Sequence, residues 1–246
     1  MKRLDFPSLR LFAVALIFFS SCGGDPTKDE TISDSATRAT TDTAAVAASS
    51  IVTTPQGMIL VTHKVSNFQR FLAAYEAHDS FRLANGVHSY VIGRGFQDSN
   101  TVFVATRVDD MEKAKAFTKS PNLKKAMQEA GVSGPPAISF LTATWQDTAM
   151  LAGSTLRSKA NFSVKDWTAW EKNFVNGRSN RIANGIVDRA YGHDPSDSTK
   201  VELVTAVTDT AKAFAYYKSN ELKQSRAAGG VIGEPTRFLF YVVKRY

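Results

Sequence analysis

The segment Arg82-Leu83-Ala84-Asn85-Gly86-Val87 returns 99 residues later as Arg181-Ile182-Ala183-Asn184-Gly185-Ile186. At the same offset Gly131-Val132-Ser133-Gly134-Pro135-Pro136 answers Gly230-Val231-Ile232-Gly233-Glu234-Pro235, Phe68 and Phe71 answer Trp167 and Trp170, and Leu123 answers Leu222. Ala114-Lys115-Ala116-Phe117 recurs as Ala211-Lys212-Ala213-Phe214, two residues out of step, which a two-residue insertion near Tyr216-Tyr217 repairs. A duplication of this kind confines the folded part of the chain to one supersecondary unit of roughly 90 residues, made twice.

Local pattern gives the order of elements in that unit. Over residues 58–65, Ile59, Val61, His63 and Val65 alternate with Leu60, Thr62 and Lys64, the period of a strand. Ser66 and Gln69 form a capping box for a helix whose apolar stripe runs Phe68, Phe71, Leu72, Tyr75, His78 and Arg82. Asn85-Gly86 closes it, because both residues tolerate the left-handed C-cap conformation. Strands over 87–92 and 101–108 follow, then a helix capped by Asp109 with Glu112, a second helix restarted by Ser120-Pro121, and a strand over 138–145. The second copy places strands at 157–164, 186–191, 200–207 and 237–243, with helices at 166–183 and 210–228. Residues 146–154 form a short linker. The order β-α-β-β-α-β is that of a ferredoxin-like unit, giving domains at 58–146 and 155–246.

The segment before the repeats has a different character. Residues 1–21 carry Lys2, Arg3 and Arg10 and an apolar run over 11–19, the pattern of an export signal. That run is shorter than the roughly 20 residues a spanning helix needs. Phe19-Ser20-Ser21-Cys22 resembles the lipobox of bacterial lipoproteins, which implies lipidation at Cys22, a membrane-anchored protein and export to the outer membrane. Residues 22–57, rich in Thr, Ser, Ala and Asp and free of aromatics, read as a disordered tether. Within it, Lys28-Asp29-Glu30 faintly resembles short signals that send lipoproteins to the cell surface. The sole cysteine excludes an intrachain disulfide, and a net charge of +7 scattered along the chain argues against nucleic acid as a partner.

With the βαββαβ order, the Arg-x-Ala-Asn-Gly helix end and the Gly-Val-x-Gly-x-Pro approach to the last strand, both units resemble the dimeric α+β barrel superfamily. Antibiotic-biosynthesis monooxygenase-like proteins belong to it. The resemblance implies an α+β fold in which two tandem ferredoxin-like units form an intramolecular pseudo-dimeric barrel. Two sheets would face each other, and the chain would act as a monomer. It also admits several activities, since fold does not fix function.

Candidate site residues come from comparing the copies. His63 matches Phe162 and His78 matches Gly177, so an imidazole pair belongs to the first unit alone. His63 ends its strand on the helix side and His78 lies on the inward edge of the helix, so both could border one cavity. Such a pair could bind a metal or haem, or move protons near neutral pH. No third ligand stands at a metal spacing, so neither a metal nor another cofactor is assigned. The opposite sheet faces carry His88, Tyr90, Arg189 and Tyr191, and Arg107 with Glu202 could pair between the units or help form a ligand pocket. Arg82 and Arg181 could hold an anion or serve as helix-end cations. Two readings of function follow. One is binding of a small, partly apolar molecule or an envelope partner. The other is a cofactor-independent monooxygenase or cyclase-like enzyme with its pocket in the first unit.

Overall fold

The computed structural model describes residues 50–246. The signal peptide, Cys22 and the tether as far as residue 49 lie outside the described residues. The first half contains β1 (Ile51–Val52), β2 (Gln56–Val65), α1 (Phe68–Ala77), α2 (Asp79–Ala84), β3 (Val87–Gly95) and β4 (Thr101–Val108). It ends with α3 (Met111–Thr118), α4 (Pro121–Glu129) and β5 (Val132–Asp147). The second half contains β6 (Leu156–Val164), α5 (Trp167–Asn176), α6 (Arg178–Ala183), β7 (Ile186–His193) and β8 (Lys200–Val207). It ends with α7 (Thr210–Tyr217), α8 (Asn220–Ala228) and β9 (Val231–Arg245).

The class is α+β, with two similar sheet-and-helix halves. The expected pseudo-dimeric barrel of two separate sheets is corrected by the strand pairing. All nine strands of the described residues belong to one sheet, in the order β1-β5-β2-β4-β3-β9-β6-β8-β7, with β5 also pairing with β7. The halves are therefore joined by main-chain hydrogen bonds at two seams. At one, Gly93 pairs with Val242 in β3–β9; at the other, Gly192 pairs with Ala143 in β5–β7. Gly93 and Gly192 hold matched positions in the two copies.

Several local expectations are also revised. Asn67, not Ser66, caps α1, its side chain accepting from the Arg70 amide at 2.9 Å. Asp110, not Asp109, caps α3. The helix expected over 68–85 breaks at His78, and its counterpart breaks at Gly177. No two-residue insertion is present: α3 and α7 lie 99 residues apart, with Ala114 and Ala213 both fully buried. β5 begins at Val132, not 138, so the Gly-Val-x-Gly-x-Pro approach is itself strand, and Ile51 and Val52 of the supposed tether pair with its far end.

The caps explain why the helices start where they do. Asn67, Asp110, Asp166 and Asp209 each accept an amide hydrogen bond from the first turn, satisfying donors that a helix cannot satisfy itself. Gly86 and Gly185, at φ 65° and 69°, turn the chain from helix into strand in a conformation that favours glycine. Strand alternation then sorts side chains between two faces. Met58, Leu60, Phe103, Leu141 and Phe240 form one core on the face away from the helices. Ile59, Val87 and Val104 turn the other way, toward the helices of the first half. Among the described residues, no helix is long and apolar enough to cross a membrane.

Candidate functional site

Between the sheet and the helices of the first half lies a cavity of about 90 Å³. Ile59, Val61, Val104 and Ile138 line its sheet wall; Phe71, Leu123, Ala126 and Met127 line its helix wall. His63 and His78 both border it, together with Tyr75, Arg82, Thr106 and Thr118. His63 sits where β2 and β5 lose register, between Thr62 and Lys64, and such irregularities re-aim a side chain. His78 is there because it occupies the break between α1 and α2.

Most of these polar groups are already engaged. The Tyr75 hydroxyl is 2.9 Å from Ser89 Oγ, and Thr118 donates to the Lys115 carbonyl. Arg82 is buried, donates to the Tyr75 carbonyl and to Asp79, and stacks over the Tyr75 ring at 3.6 Å. It fastens the helix to β3 and is no free anion site. His78 Nδ1 lies 2.8 Å from the Ala74 carbonyl, so in the neutral ring it carries the hydrogen and Nε2 is left as an acceptor. His63 differs from all of them. It is 6% exposed, its ring lies 5.0 Å from that of Phe71, and both its nitrogens are buried without a hydrogen-bond partner.

Burial holds the His63 imidazole neutral, pushing its pKa from 6.5 down to about 4. The folded protein therefore refuses a proton that the unfolded chain accepts. The stability associated with neutral His63 is complete above pH 6.5 and is lost as pH falls toward 4, by about 3 kcal/mol in all. His63→Phe, the residue at the matching position of the second half, removes this loss. Urea midpoints at pH 7 and pH 4.5 should differ much less for the variant than for the wild type. Equal differences would show that His63 titrates normally.

The second half has a corresponding cavity of about 80 Å³, but its chemistry is changed. Phe162 replaces His63, Trp170 replaces Phe71, and Arg226 and Arg237 stand where Met127 and Ile138 stand in the first half. Aromatic rings crowd this side: Trp170 lies 5.0 Å from Phe174 and 5.5 Å from Phe162. Matching residues of the two copies thus build an apolar cavity with a free imidazole in one half and a ring- and arginine-lined one in the other.

The remaining candidates do not gather at one place. His88 is partly exposed and pairs with Asp109 at 2.9 Å. Tyr90 and Arg189 line a third cavity, on the sheet face away from the helices. Tyr191 does not join them: a bulge between Asp188 and Ala190 reverses the alternation, and Tyr191 stacks on Trp145 and packs on Trp170 and Phe174. Burial raises its hydroxyl pKa to about 12. The expected Arg107–Glu202 pair is replaced by two separate contacts. Arg107 stacks over Tyr90 at 4.1 Å, and Glu202 lies 2.9 Å from Lys159 Nζ and accepts a hydrogen bond from Asn161. The Lys159 contact is an ion pair by distance, although Glu202 Oε2 finds no donor at hydrogen-bonding angles. Sequence reasoning missed Arg157, Arg237 and Arg245. A usable signal existed for Arg157 and Arg237, which replace the apolar Met58 and Ile138 between the copies. Among the described residues, no group of three or more His, Cys, Asp or Glu side chains could hold a metal ion.

No protein-family model matches the chain, and no curated relative matches it. Solved structures do. The fold is similar to that of a candidate monooxygenase from Fusobacterium nucleatum, at 14% identity and a TM-score of 0.53, over 78% of this chain and 94% of that one. An anthrone oxidase-like protein matches at 12% identity and a TM-score of 0.54, over 80% and 95% of the two chains. A candidate chlorite dismutase matches at 14% and 0.52, over 77% and 96%. At these identities the likeness establishes the fold. The lipoprotein identification, with its signal peptide and outer-membrane assignment, is corrected to this distant structural likeness. None of these similar structures is described as a lipoprotein, and the residues on which that identification rested lie outside the described ones.

Proposed function

We propose that the protein is a cofactor-independent oxygenase acting on a small, largely apolar molecule that carries one acidic hydroxyl or activated C–H group, bound in the cavity of the first half. The observation that carries this reading is His63: a neutral imidazole with two unpartnered nitrogens, in the wall of an otherwise apolar cavity. A buried polar group left unsatisfied is costly and is commonly retained for a ligand or a reaction. The cavity is several times the volume one water needs, which suits a ligand on the order of ten non-hydrogen atoms. Similar folds carrying oxidase and monooxygenase names support the class of chemistry.

In the reaction, His63 accepts the substrate proton and leaves a carbanion or phenolate. The imidazolium is stabilised by the anion it has just created, which offsets the desolvation that otherwise lowers its basicity. Molecular oxygen is the oxidant and takes four electrons from the substrate. One oxygen atom forms the new carbonyl, and the other leaves as water, taking the proton held on His63 and the hydrogen lost from the oxidised carbon. For 1-naphthol the balance is one substrate and one O₂ giving 1,4-naphthoquinone and one water.

Oxygen uptake with 1-naphthol or anthrone tests this. We expect one O₂ consumed per quinone formed, and a rate lower by about a hundredfold or more in His63→Phe, the usual scale for losing a positioned base. Binding of either probe without oxygen uptake would reject the oxygenase and leave a binding protein.

A further inference from the structure

The sheet face away from the helices holds a separate cavity, of about 70 Å³, between the two halves. One end is apolar, walled by Phe103, Leu141 and Phe240. At the other end are Arg157, Arg189 and Arg245, with Asp147 as the one carboxylate in the lining. Three guanidinium groups against one carboxylate leave a surplus of two positive charges. Arg157 and Arg189 are each only 6% exposed.

Their hydrogen bonds do not consume them. Arg157 donates to the Thr155 carbonyl at 2.7 Å, and Arg245 to the Thr148 carbonyl at 3.1 Å. Arg189 donates to Asp147 at 2.7 Å and to the Ala149 carbonyl. Each guanidinium carries five donors, so most remain available. Burial, and then the charges of Arg189 and Arg245, push the Arg157 pKa down to about 10, the mark of cations held near one another without enough counter-charge. Buried like charges without compensation are destabilising, and planar guanidinium groups match carboxylates in particular.

We propose that this cavity binds an organic carboxylate with a short apolar tail, its head bridging Arg157, Arg189 and Arg245 and its tail against Phe103, Leu141 and Phe240. The site is independent of the oxygenase reading. It lies on the other face of the sheet and shares no residue with the His63 cavity.

Calorimetric titration of the whole protein with hexanoate tests it directly. Hexanoate should bind and raise the melting temperature, with 1-hexanol and inorganic phosphate both weaker by about tenfold or more, as each lacks one half of the recognition. Arg157→Gln should weaken hexanoate by at least about tenfold and yet raise the melting temperature of the unliganded protein, since it removes one of the crowded charges. Arg245→Gln gives the same pair of readings from the other side of the cavity. The proposal is overturned if hexanoate fails to bind the folded wild type, if hexanol or phosphate binds as well as hexanoate, or if both variants keep full hexanoate affinity.

Discussion

Gly192→Ala is expected to destabilise the protein by about 3 kcal/mol or more, the range in which over-packing against fixed atoms falls. A Cβ at Gly192 would lie 2.0 Å from the Thr142 carbonyl oxygen and 2.8 Å from Ala143 Cα. Both are backbone atoms of β5, so no side-chain rotation relieves the contact, and the β5–β7 seam must open. Gly93, its counterpart at the β3–β9 seam, meets a ring instead: a Cβ there would lie 2.4 Å from Phe240 Cδ2. Phe240 is 1% exposed and has little room to yield, so Gly93→Ala should cost somewhat less but still measurably. Gly153→Ala, where the nearest atom is 3.7 Å away, is the control and should be close to neutral. Urea unfolding of the three variants should rank them in that order. A mild Gly192→Ala would show that the seam between the halves is looser than the pairing implies.

Asp188→Ala should cost about 3–5 kcal/mol, because it leaves the buried Arg181 cation without its carboxylate. Asp188 is 4% exposed and accepts from Arg181 Nε at 2.8 Å, from Arg181 Nη2 at 2.7 Å and from Arg178 Nε at 3.1 Å. Arg181 itself is 8% exposed and also donates to the Phe174 carbonyl. In the first half the matching residue is Ser89, and Arg82 turns to the half-exposed Asp79 instead. Asp188→Ser, which restores one acceptor, should therefore recover part of the loss, and Asp79→Ala should cost less than Asp188→Ala. Equal effects of the last two would mean that burial of the pair contributes little.

These two expectations mark where sequence reasoning stops. The repeat, the βαββαβ order and the Asn-Gly helix ends were legible because each rests on neighbours within a few residues. The contrast of His63 with Phe162 was legible for the same reason: aligned copies expose a lone polar substitution. The breaks at His78 and Gly177 were not, because a one-residue kink leaves the apolar stripe nearly continuous. The strand character of residues 132–137 was hidden by Pro135 and Pro136, because proline is rare inside strands. Tyr191 was placed on the wrong face because a single bulged residue, Arg189, reverses every later position on β7. Which edges meet is a long-range property, so the joining of both halves into one sheet could not be read from local pattern. The matched glycines at 93 and 192 were its one trace in the sequence.

The imidazole of His63 is the group on which the functional account depends, and its nitrogen resonances report on it directly. With nitrogen-15 labelling at histidine, the free protein should show a His63 ring that remains neutral until pH approaches 4. Adding 1-naphthol at pH 7 should shift one of its two nitrogens toward a hydrogen-bonded state and leave His88 unmoved. A His63 ring that titrates near 6.5, or that ignores a ligand shown to bind, would contradict the account.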